Sequence, residues 1–162
     1  MVKKMIWLII AVSVIVIDQI TKIIVHHFME LGQEIPLIPK VLSLKYVTNT
    51  GAAFSMFSNR TGLLSLFTMI ILTAVIVLLV KFKPESPVLL AAAGLIIGGG
   101  FGNLIDRVFR REVIDFIDFK AIYFICPAIF NIADTCVVVG SFIACFYFIF
   151  LDKKAPVQEI SQ

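Results

Sequence analysis

Three aspartates in the second half of the chain lie where a membrane-embedded sequence rarely places charge. Asp106 and Asp134 border long apolar runs, and Asp115 lies in the segment between them. An ionisable group at such a depth is costly unless it is paired or used, so each is a candidate functional residue. Two carboxylates in hydrogen-bonding reach share one proton. Such a pair can hydrolyse a peptide bond, because the ionised member takes a proton from water while the protonated member polarises the carbonyl.

Two asparagines precede aspartates by three residues, in the pairs Asn103 with Asp106 and Asn131 with Asp134. Residues three apart share a helix face, so each amide can hold a carboxylate or a substrate backbone. Asn and Asp also favour helix ends, and capping is the alternative role for Asn131. Asp134 is expected about 5 Å into the fourth span, beyond the capping position.

Asp106 and Asp115 differ in their sequence neighbours. Arg107 directly follows Asp106, and Asn103 lies on the same side of the helix as Arg107. A structural ion pair, or an arginine anchored at the lipid headgroups, is therefore the alternative to an active-site role, and it makes Asp106 a support rather than a catalyst. Asp115 has no basic residue at its own face spacing in the strand, so it can be aimed at a partner across a cleft.

Two further polar sites lie in the first half of the chain. Asp18 and Lys22 are four residues apart in the first apolar run, a spacing that lets them pair inside a membrane. They form either a structural pair or part of the active site. Asn49, in the segment TNTGAAF, forms either a turn beside Gly51 or a contact with substrate.

The elements that must position these residues are membrane helices. With 60% hydrophobic residues among 162, 15% charged residues and a mean hydropathy of +1.03, the chain is outside the range of soluble domains. A span needs about 20 apolar residues. The sequence predicts an all-α integral membrane protein forming one domain over 1–162, with spans at about 5–25, 63–80, 88–105 and 132–151, loops at about 26–60 and 107–130, and a disordered tail at about 153–162.

Patterns between and within the spans add detail. Alternating residues in VLSLKYVTN and in VIDFIDF predict two strands of a small sheet at the membrane surface. Gly94, Gly98 and Gly102, four residues apart, predict a helix face that another helix can approach closely. Basic residues number six on the side of the termini and seven on the other, but the six are concentrated next to the span ends, which favours cytoplasmic termini.

Other chemistries have little support in the sequence. His26 and His27 lie together at a span end without HExxH or a second ligand cluster, so no metal site is predicted. The basic residues are scattered and give no nucleic-acid footprint. A different functional class stays open, a small proton-linked membrane transporter or channel with the carboxylates as relay groups. Against it, the acidic residues cluster at one membrane face and no internal repeat is visible.

Five motifs in order carry a resemblance to a known family. They are DQITK at 18–22, NTGAAF at 49–54, GNLIDR at 102–107, VIDF at 113–116 and FNIADT at 130–135. On these motifs the chain resembles the lipoprotein signal peptidases, also called signal peptidase II, over essentially its whole length. The resemblance implies a four-helix aspartic endopeptidase that removes signal peptides from bacterial prolipoproteins, cutting just before a diacylglyceryl-modified cysteine.

The resemblance also assigns residues and surroundings. It places the catalytic aspartates at Asp115 and Asp134. It implies substrate-binding or supporting roles for Asn49, Asn103, Asp106, Arg107, Asn131, Asp18 and Lys22. It further implies no metal or organic cofactor, and a small extracytoplasmic sheet with a mobile helical loop segment. Location in the bacterial cytoplasmic membrane is expected, with cytoplasmic termini and the active site near the outer face. The expected partners are lipid-modified prolipoproteins, membrane lipid and globomycin-like peptide inhibitors.

The predicted orientation can be tested by cysteine labelling. In a chain whose native cysteines are replaced, a reagent that cannot cross the membrane should label a cysteine at Gly32 in intact cells but not one at Ser86 or Ser161. The reason is that the first loop is expected outside, and the other two positions inside. Labelling of the Ser86 probe alone would contradict the four-span arrangement.

Overall fold

Four long helices dominate the computed structural model, which describes residues 2–51, 61–124 and 127–151, without the side chains of 2–4 and Ile122. The helices are α1 (Val2–Phe28), α2 (Thr61–Phe82), α3 (Pro87–Phe109) and α4 (Ile132–Phe146), the last continued by a π-helical turn at Tyr147–Leu151. Each is long and apolar enough to cross a membrane, as predicted. Since α3 runs to Phe109, Asp106 and Arg107 are both helical.

The helix α3 is the central element and packs against the other three. A Cβ atom on Gly94 would lie 2.7 Å from the carbonyl oxygen of Trp7, and one on Gly98 would lie 2.7 Å from that of Ala11. The backbones of α1 and α3 therefore touch at these glycines, which confirms their predicted packing role. Exposed aliphatic side chains cover the outer faces of the helices, where lipid would surround them.

The helix α2 is held more loosely. It packs chiefly on α3, where Leu72 is buried and lies against Gly100. Ser65 and Leu72 are its buried residues. Because the rest of α2 stands clear of the bundle, a space is left between α2, α3 and α4.

A four-stranded antiparallel sheet covers one end of the bundle. Its order is β1-β2-β3-β4, with β1 at Glu34–Ile38, β2 at Leu42–Asn49, β3 at Val113–Asp118 and β4 at Ile129–Phe130. Both predicted strands are confirmed as β2 and β3. In their register Val47 lies opposite Asp115 and Asn49 opposite Val113.

The strand β3 is buried on both faces, and each face packs against a different part of the molecule. Ile114 and Phe116 pack with Val25 of α1 and Tyr46 of β2 in a small apolar core. Side chains alternate along a strand, so Asp115 points the other way, toward the helix bundle. The core thus fixes the direction in which the Asp115 carboxylate points.

Two expectations concern parts of the chain beyond those described. The mobile helical segment is expected within the first loop, whose residues 52–60 lie outside the described residues, and the disordered tail at 153–162 also lies outside them. In the first loop, Gly32 adopts φ of 85°, which favours glycine. Exposed Glu30 is therefore a less strained site for a cysteine probe.

Candidate active site

A buried ionic cluster joins α1 to α3. Asp18, Lys22 and Asp106 are each fully buried, and Lys22 Nζ lies 2.8 Å from an Oδ2 atom of either aspartate. The predicted Asp18–Lys22 pair is confirmed. Asp106 is a partner of Lys22 and lies 3.6 Å from Arg110 Nε, whereas no ion pair joins it to Arg107. Consecutive helical residues point about 100° apart, so the adjacent arginine faces elsewhere.

The same cluster reaches the start of α4. Asp18 Oδ1 accepts a hydrogen bond of 2.9 Å from the backbone N–H of Ala133, one of the N-terminal amides that α4 leaves without a helical partner. Gln19 also belongs to the cluster, which the sequence analysis missed. Its Nε2 donates to Asp18 Oδ2 at 3.2 Å and to Asp106 Oδ1 at 3.3 Å. A second polar residue beside Asp18 in an apolar run was the available signal.

Asn131 and Asp134 form a reciprocal cap at the start of α4. Asn131 Oδ1 accepts from the Asp134 N–H at 2.8 Å, and Asp134 Oδ2 accepts from the Asn131 N–H at 3.2 Å. Asp134 does lie beyond the N-cap residue, at the third helical position, but the expectation that its carboxylate is therefore too deep to take part in capping is wrong. A side chain at the third helical position can bend back toward the cap, so this carboxylate closes a capping box.

Two amides hold the carboxylates on either side of the site. Asn103 Nδ2 donates to Asp134 Oδ1 at 2.7 Å, and Asn131 Nδ2 donates to Asp115 Oδ1 at 2.7 Å. Asn131 Nδ2 also lies 3.0 Å from Asn103 Oδ1, which joins the two amides. Although Asn103 and Asp106 share a helix, the Asn103 amide donates its hydrogen bond to Asp134 on another helix. The in-helix Asn–Asp spacing predicted the polar face but not this partner.

Asn49 joins the site from β2. Its Nδ2 donates to Asp115 Oδ2 at 3.2 Å, while its Oδ1 accepts from the Gly51 N–H at 2.8 Å. The predicted turn beside Gly51 is therefore present, whereas contact of Asn49 with substrate stays a prediction. The turn fixes the carbonyl end of the amide and leaves its donor end for the carboxylate.

The two carboxylates line one cavity of about 640 Å³ that continues between α2, α3 and α4. Asn49, Asn103 and Arg107 line its polar end. Apolar side chains line the part within the bundle: Ile71, Leu72, Ile96, Val137 and Val138. Arg107 Nε is buried and meets no hydrogen-bond partner in the described part of the chain. The site therefore combines two carboxylates, amide donors and a guanidinium at the mouth of an apolar channel.

Comparison with known proteins decides the family. The family model described as signal peptidase (SPase) II matches residues 10–150. The chain belongs to the signal peptidase II family. A lipoprotein signal peptidase of Clostridium acetobutylicum is 39% identical, covering 91% of this chain and 95% of that protein. Another lipoprotein signal peptidase, of Pelotomaculum thermopropionicum, is 42% identical, covering 85% of this chain and 86% of that protein.

Solved structures agree with this assignment. A bacterial membrane enzyme solved at 2.3 Å matches with a TM-score of 0.84 at 31% identity, over 96% of this chain and 94% of that one. A second, solved at 1.9 Å, matches with a TM-score of 0.79 at 34% identity, over 92% and 94%.

Membership of signal peptidase II confirms the resemblance drawn from the motifs. The protein is an aspartic-type endopeptidase of the bacterial cytoplasmic membrane that removes signal peptides from prolipoproteins. The transporter or channel alternative is not favoured.

Among the residues described, no three His, Cys, Asp or Glu side chains gather as metal ligands. His26 lies at the end of α1, with its Nδ1 2.8 Å from Tyr46 Oη.

The protonation of Asp115 follows from its surroundings. Burial first, and then the charge of Asp134, raise the pKa of Asp115 to about 7, against an ordinary value of 3.8. Hydrogen bonds from Asn49 and Asn131 and the charge of Lys22 act in the opposite direction. Because burial outweighs them, Asp115 is protonated below about pH 7 and loses its proton as the pH rises through that value.

Replacing Asp115 by Asn should therefore change how stability depends on pH. The folded protein holds the Asp115 proton up to about pH 7, whereas the unfolded chain releases it near pH 4. The contribution of this group to stability is thus lost as pH rises through that window. Relative to the parent, the Asn variant should gain up to about 4 kcal/mol between pH 4 and pH 8, measured by thermal unfolding in detergent.

The control for this measurement is Glu34→Gln. A hydrogen bond from Lys120 lowers the pKa of Glu34, so the pH dependence of that variant relative to the parent should have the opposite sign. A stability difference for Asp115→Asn that does not change with pH would contradict the raised pKa of Asp115.

Proposed function

We propose that Asp115 and Asp134 are the catalytic dyad and that they cut the prolipoprotein just before its diacylglyceryl-modified cysteine. The observation that carries this proposal is that both carboxylates line one cavity and each is held by an asparagine amide. Asp106 is engaged by Lys22 instead and is absent from the cavity wall. Of the three aspartates singled out by the sequence, these two are the pair that substrate can reach.

The chemistry follows from unequal surroundings of the two acids. Asp115 carries the shared proton, because its pKa is near 7. Asp134 is the ionised member, since it lies in the first turn of α4 and accepts from Asn103 and from the backbone of Asn131. Water attacks the scissile carbonyl carbon as Asp134 takes a water proton and Asp115 gives its proton to the carbonyl oxygen. The resulting tetrahedral intermediate then collapses.

Collapse restores the dyad. The C–N bond breaks as Asp134 passes its proton to the leaving amine, and a hydroxyl of the intermediate returns its proton to Asp115. The products are the carboxyl end of the signal peptide and the free amine of the cysteine. Both carboxylates are back in their starting states, and no group besides water is consumed.

Arg107 and Asn49 are suited to hold the substrate backbone near this dyad. The Nε of Arg107 is without a partner in the described residues and its side chain lines the cavity, so a peptide carbonyl can accept from it. Asn49 holds Asp115 and reaches the same cavity. A carbonyl fixed between such donors would be presented to the attacking water at a constant angle.

The apolar part of the cavity suits the signal peptide. Ile71, Leu72 and Ile96 line it at membrane depth, and α2 is held mainly by α3. A hydrophobic segment can thus lie between helices while the bond to be cut rests at the polar mouth. The acyl chains of the modified cysteine would remain in surrounding lipid and hold that bond at a fixed depth, at about 0.8 kcal/mol per buried methylene.

We further propose that the sheet and the polar mouth lie at the outer face of the membrane, with both termini in the cytoplasm. Lysines concentrated beside the opposite span ends support this orientation. Globomycin-like peptides would inhibit by occupying the cavity in place of the substrate.

Replacing either dyad member by asparagine should abolish cleavage, because an amide can neither accept nor supply the shared proton. Asp115→Asn and Asp134→Asn should each lower kcat by at least about 10³-fold, assayed on a lipid-modified precursor in detergent with the fold checked by thermal unfolding. Asp106→Asn is the matched control and should act mainly through stability. Full activity in either dyad variant would refute the assignment, and added chelator should leave the parent unaffected.

The lipid on the substrate should control turnover. A precursor without its diacylglyceryl group loses the anchoring that places the scissile bond at the cavity mouth, and remote binding energy of this kind can be used to accelerate the reaction. We expect cleavage at least about 100-fold slower, measured as kcat/KM on matched precursors. Equal turnover of the two precursors would show that lipid anchoring is not the recognition principle.

A further inference from the structure

We propose that Lys22 is a positioning residue for the dyad, acting through the side-chain amide of Asn103. The inference rests on the proposed roles of Asp115 and Asp134. Lys22 is fully buried and touches neither carboxylate of the dyad. Its Nζ lies 2.9 Å from Asn103 Oδ1, and the other end of that amide donates to Asp134.

An ammonium can fix the direction of an amide. The two ends of an asparagine side chain are nearly equal in size, so packing alone does not choose between its two orientations. Lys22 offers donors only, and therefore requires the oxygen of Asn103 to face it. The Nδ2 group must then face Asp134, at 2.7 Å. The reverse orientation would place donor against donor at Lys22 and oxygen against oxygen at Asp134.

The hydrogen bonds around Asn103 continue through Asn131 to the second carboxylate, Asp115. Asn103 Oδ1 also lies 3.0 Å from Asn131 Nδ2, so this oxygen faces two donors, matching its two lone pairs. Asn131 Nδ2 lies 2.7 Å from Asp115 Oδ1 as well. The Asn131 amide is itself oriented by the cap of α4, because its Oδ1 accepts from the Asp134 N–H. Lys22 and Asn131 thus both require the oxygen of Asn103 to face them, and the charged donor of this pair is Lys22.

Balancing Asp18 and Asp106 is the simpler role for Lys22, and it would need no contact with Asn103. The charged groups around Lys22 come from every packed element: Asp18 on α1, Asp106 with Arg110 and Arg107 on α3, Asp115 on β3 and Asp134 on α4. The positive charge of Lys22 lowers the pKa of Asp115. A positioning role through Asn103 therefore predicts a loss of rate on removing Lys22 that does not add to the loss on removing the Asn103 amide, and charge balance alone does not predict this.

A double-mutant cycle on Lys22→Met and Asn103→Ala tests the proposal on the full-length enzyme with a lipid-modified precursor. Each single variant should lower kcat by about 10- to 100-fold with KM within about threefold, and the double variant should be no slower than the worse single variant. The falling limb of the pH profile should move to higher pH in Lys22→Met, because the pKa of Asp115 rises without the ammonium. Lys45→Met on β2 is the control for removing a lysine and should leave kcat unchanged.

Lys22→Met leaves two buried aspartates unpaired, so the cycle is repeated in the charge-balanced variant Asp18→Asn/Lys22→Met/Asp106→Asn. This variant should fold and stay slow, and adding Asn103→Ala to it should cost no further activity. The proposal would be overturned if the losses in kcat from removing Lys22 and from Asn103→Ala multiplied in the parent enzyme, or if Asn103→Ala lowered kcat further in the charge-balanced variant. A kcat equal to the parent's in the charge-balanced variant would also overturn it. Activity in Asp115→Asn or Asp134→Asn would instead refute the dyad itself, so the two failures are distinguishable.

Discussion

A lysine charge buried between two aspartates is the constraint on which the rest of the site depends. Lys22 lies in an apolar helix where an unpaired ammonium would be prohibitively costly, and its partners come from its own helix and from α3. The pairing fixes the rotation of α1 against α3. The hydrogen bond from the Ala133 N–H to Asp18 fixes the position of the first turn of α4 relative to α1. A few polar contacts thus set the register of three helices, in addition to the close backbone contacts at the glycines of α3.

The asparagines make stability and activity difficult to separate. Asn131 caps α4 through its oxygen and holds Asp115 through its nitrogen, so one side chain both stabilises the start of a helix and positions a carboxylate of the proposed dyad. Asp134 closes the same capping box while facing the cavity. Because the asparagines and the two carboxylates are already hydrogen-bonded to one another, these side chains have little conformational freedom to lose when substrate binds.

Much of this could be predicted from sequence, because apolar runs and alternation report directly on helices and strands. The Asp18–Lys22 pair followed from a spacing of four, and the glycines of α3 from their common face. Contacts between distant segments were not accessible. Lys22 meets Asn103 across 81 positions, and Asn49 meets Asp115 across 66. Such partners depend on how the helices rotate against each other, which local patterns do not encode.

The position of Asp134 illustrates a different kind of error. The rise per residue gives the depth of a backbone position along the helix, but it ignores how far a side chain at the third position can bend back toward the cap. The choice of Asp115 over Asp106 came from the family resemblance and not from spacing. The structure adds a physical distinction between them, since Lys22 engages Asp106 whereas Asp115 faces the cavity beside Asn49.

The ionic cluster also has a consequence for the order of assembly. Asp18 and Lys22 sit one turn apart on α1, so this helix can neutralise its own charges when it enters the bilayer alone, before α3 is made. Asp106, on a later helix, has no such local partner except Arg110 at the helix end. Docking of α3 onto α1 therefore converts a self-contained ion pair into a three-residue cluster. The same step brings Asn103 of α3 to Lys22, so the geometry of the candidate site forms when the helices assemble.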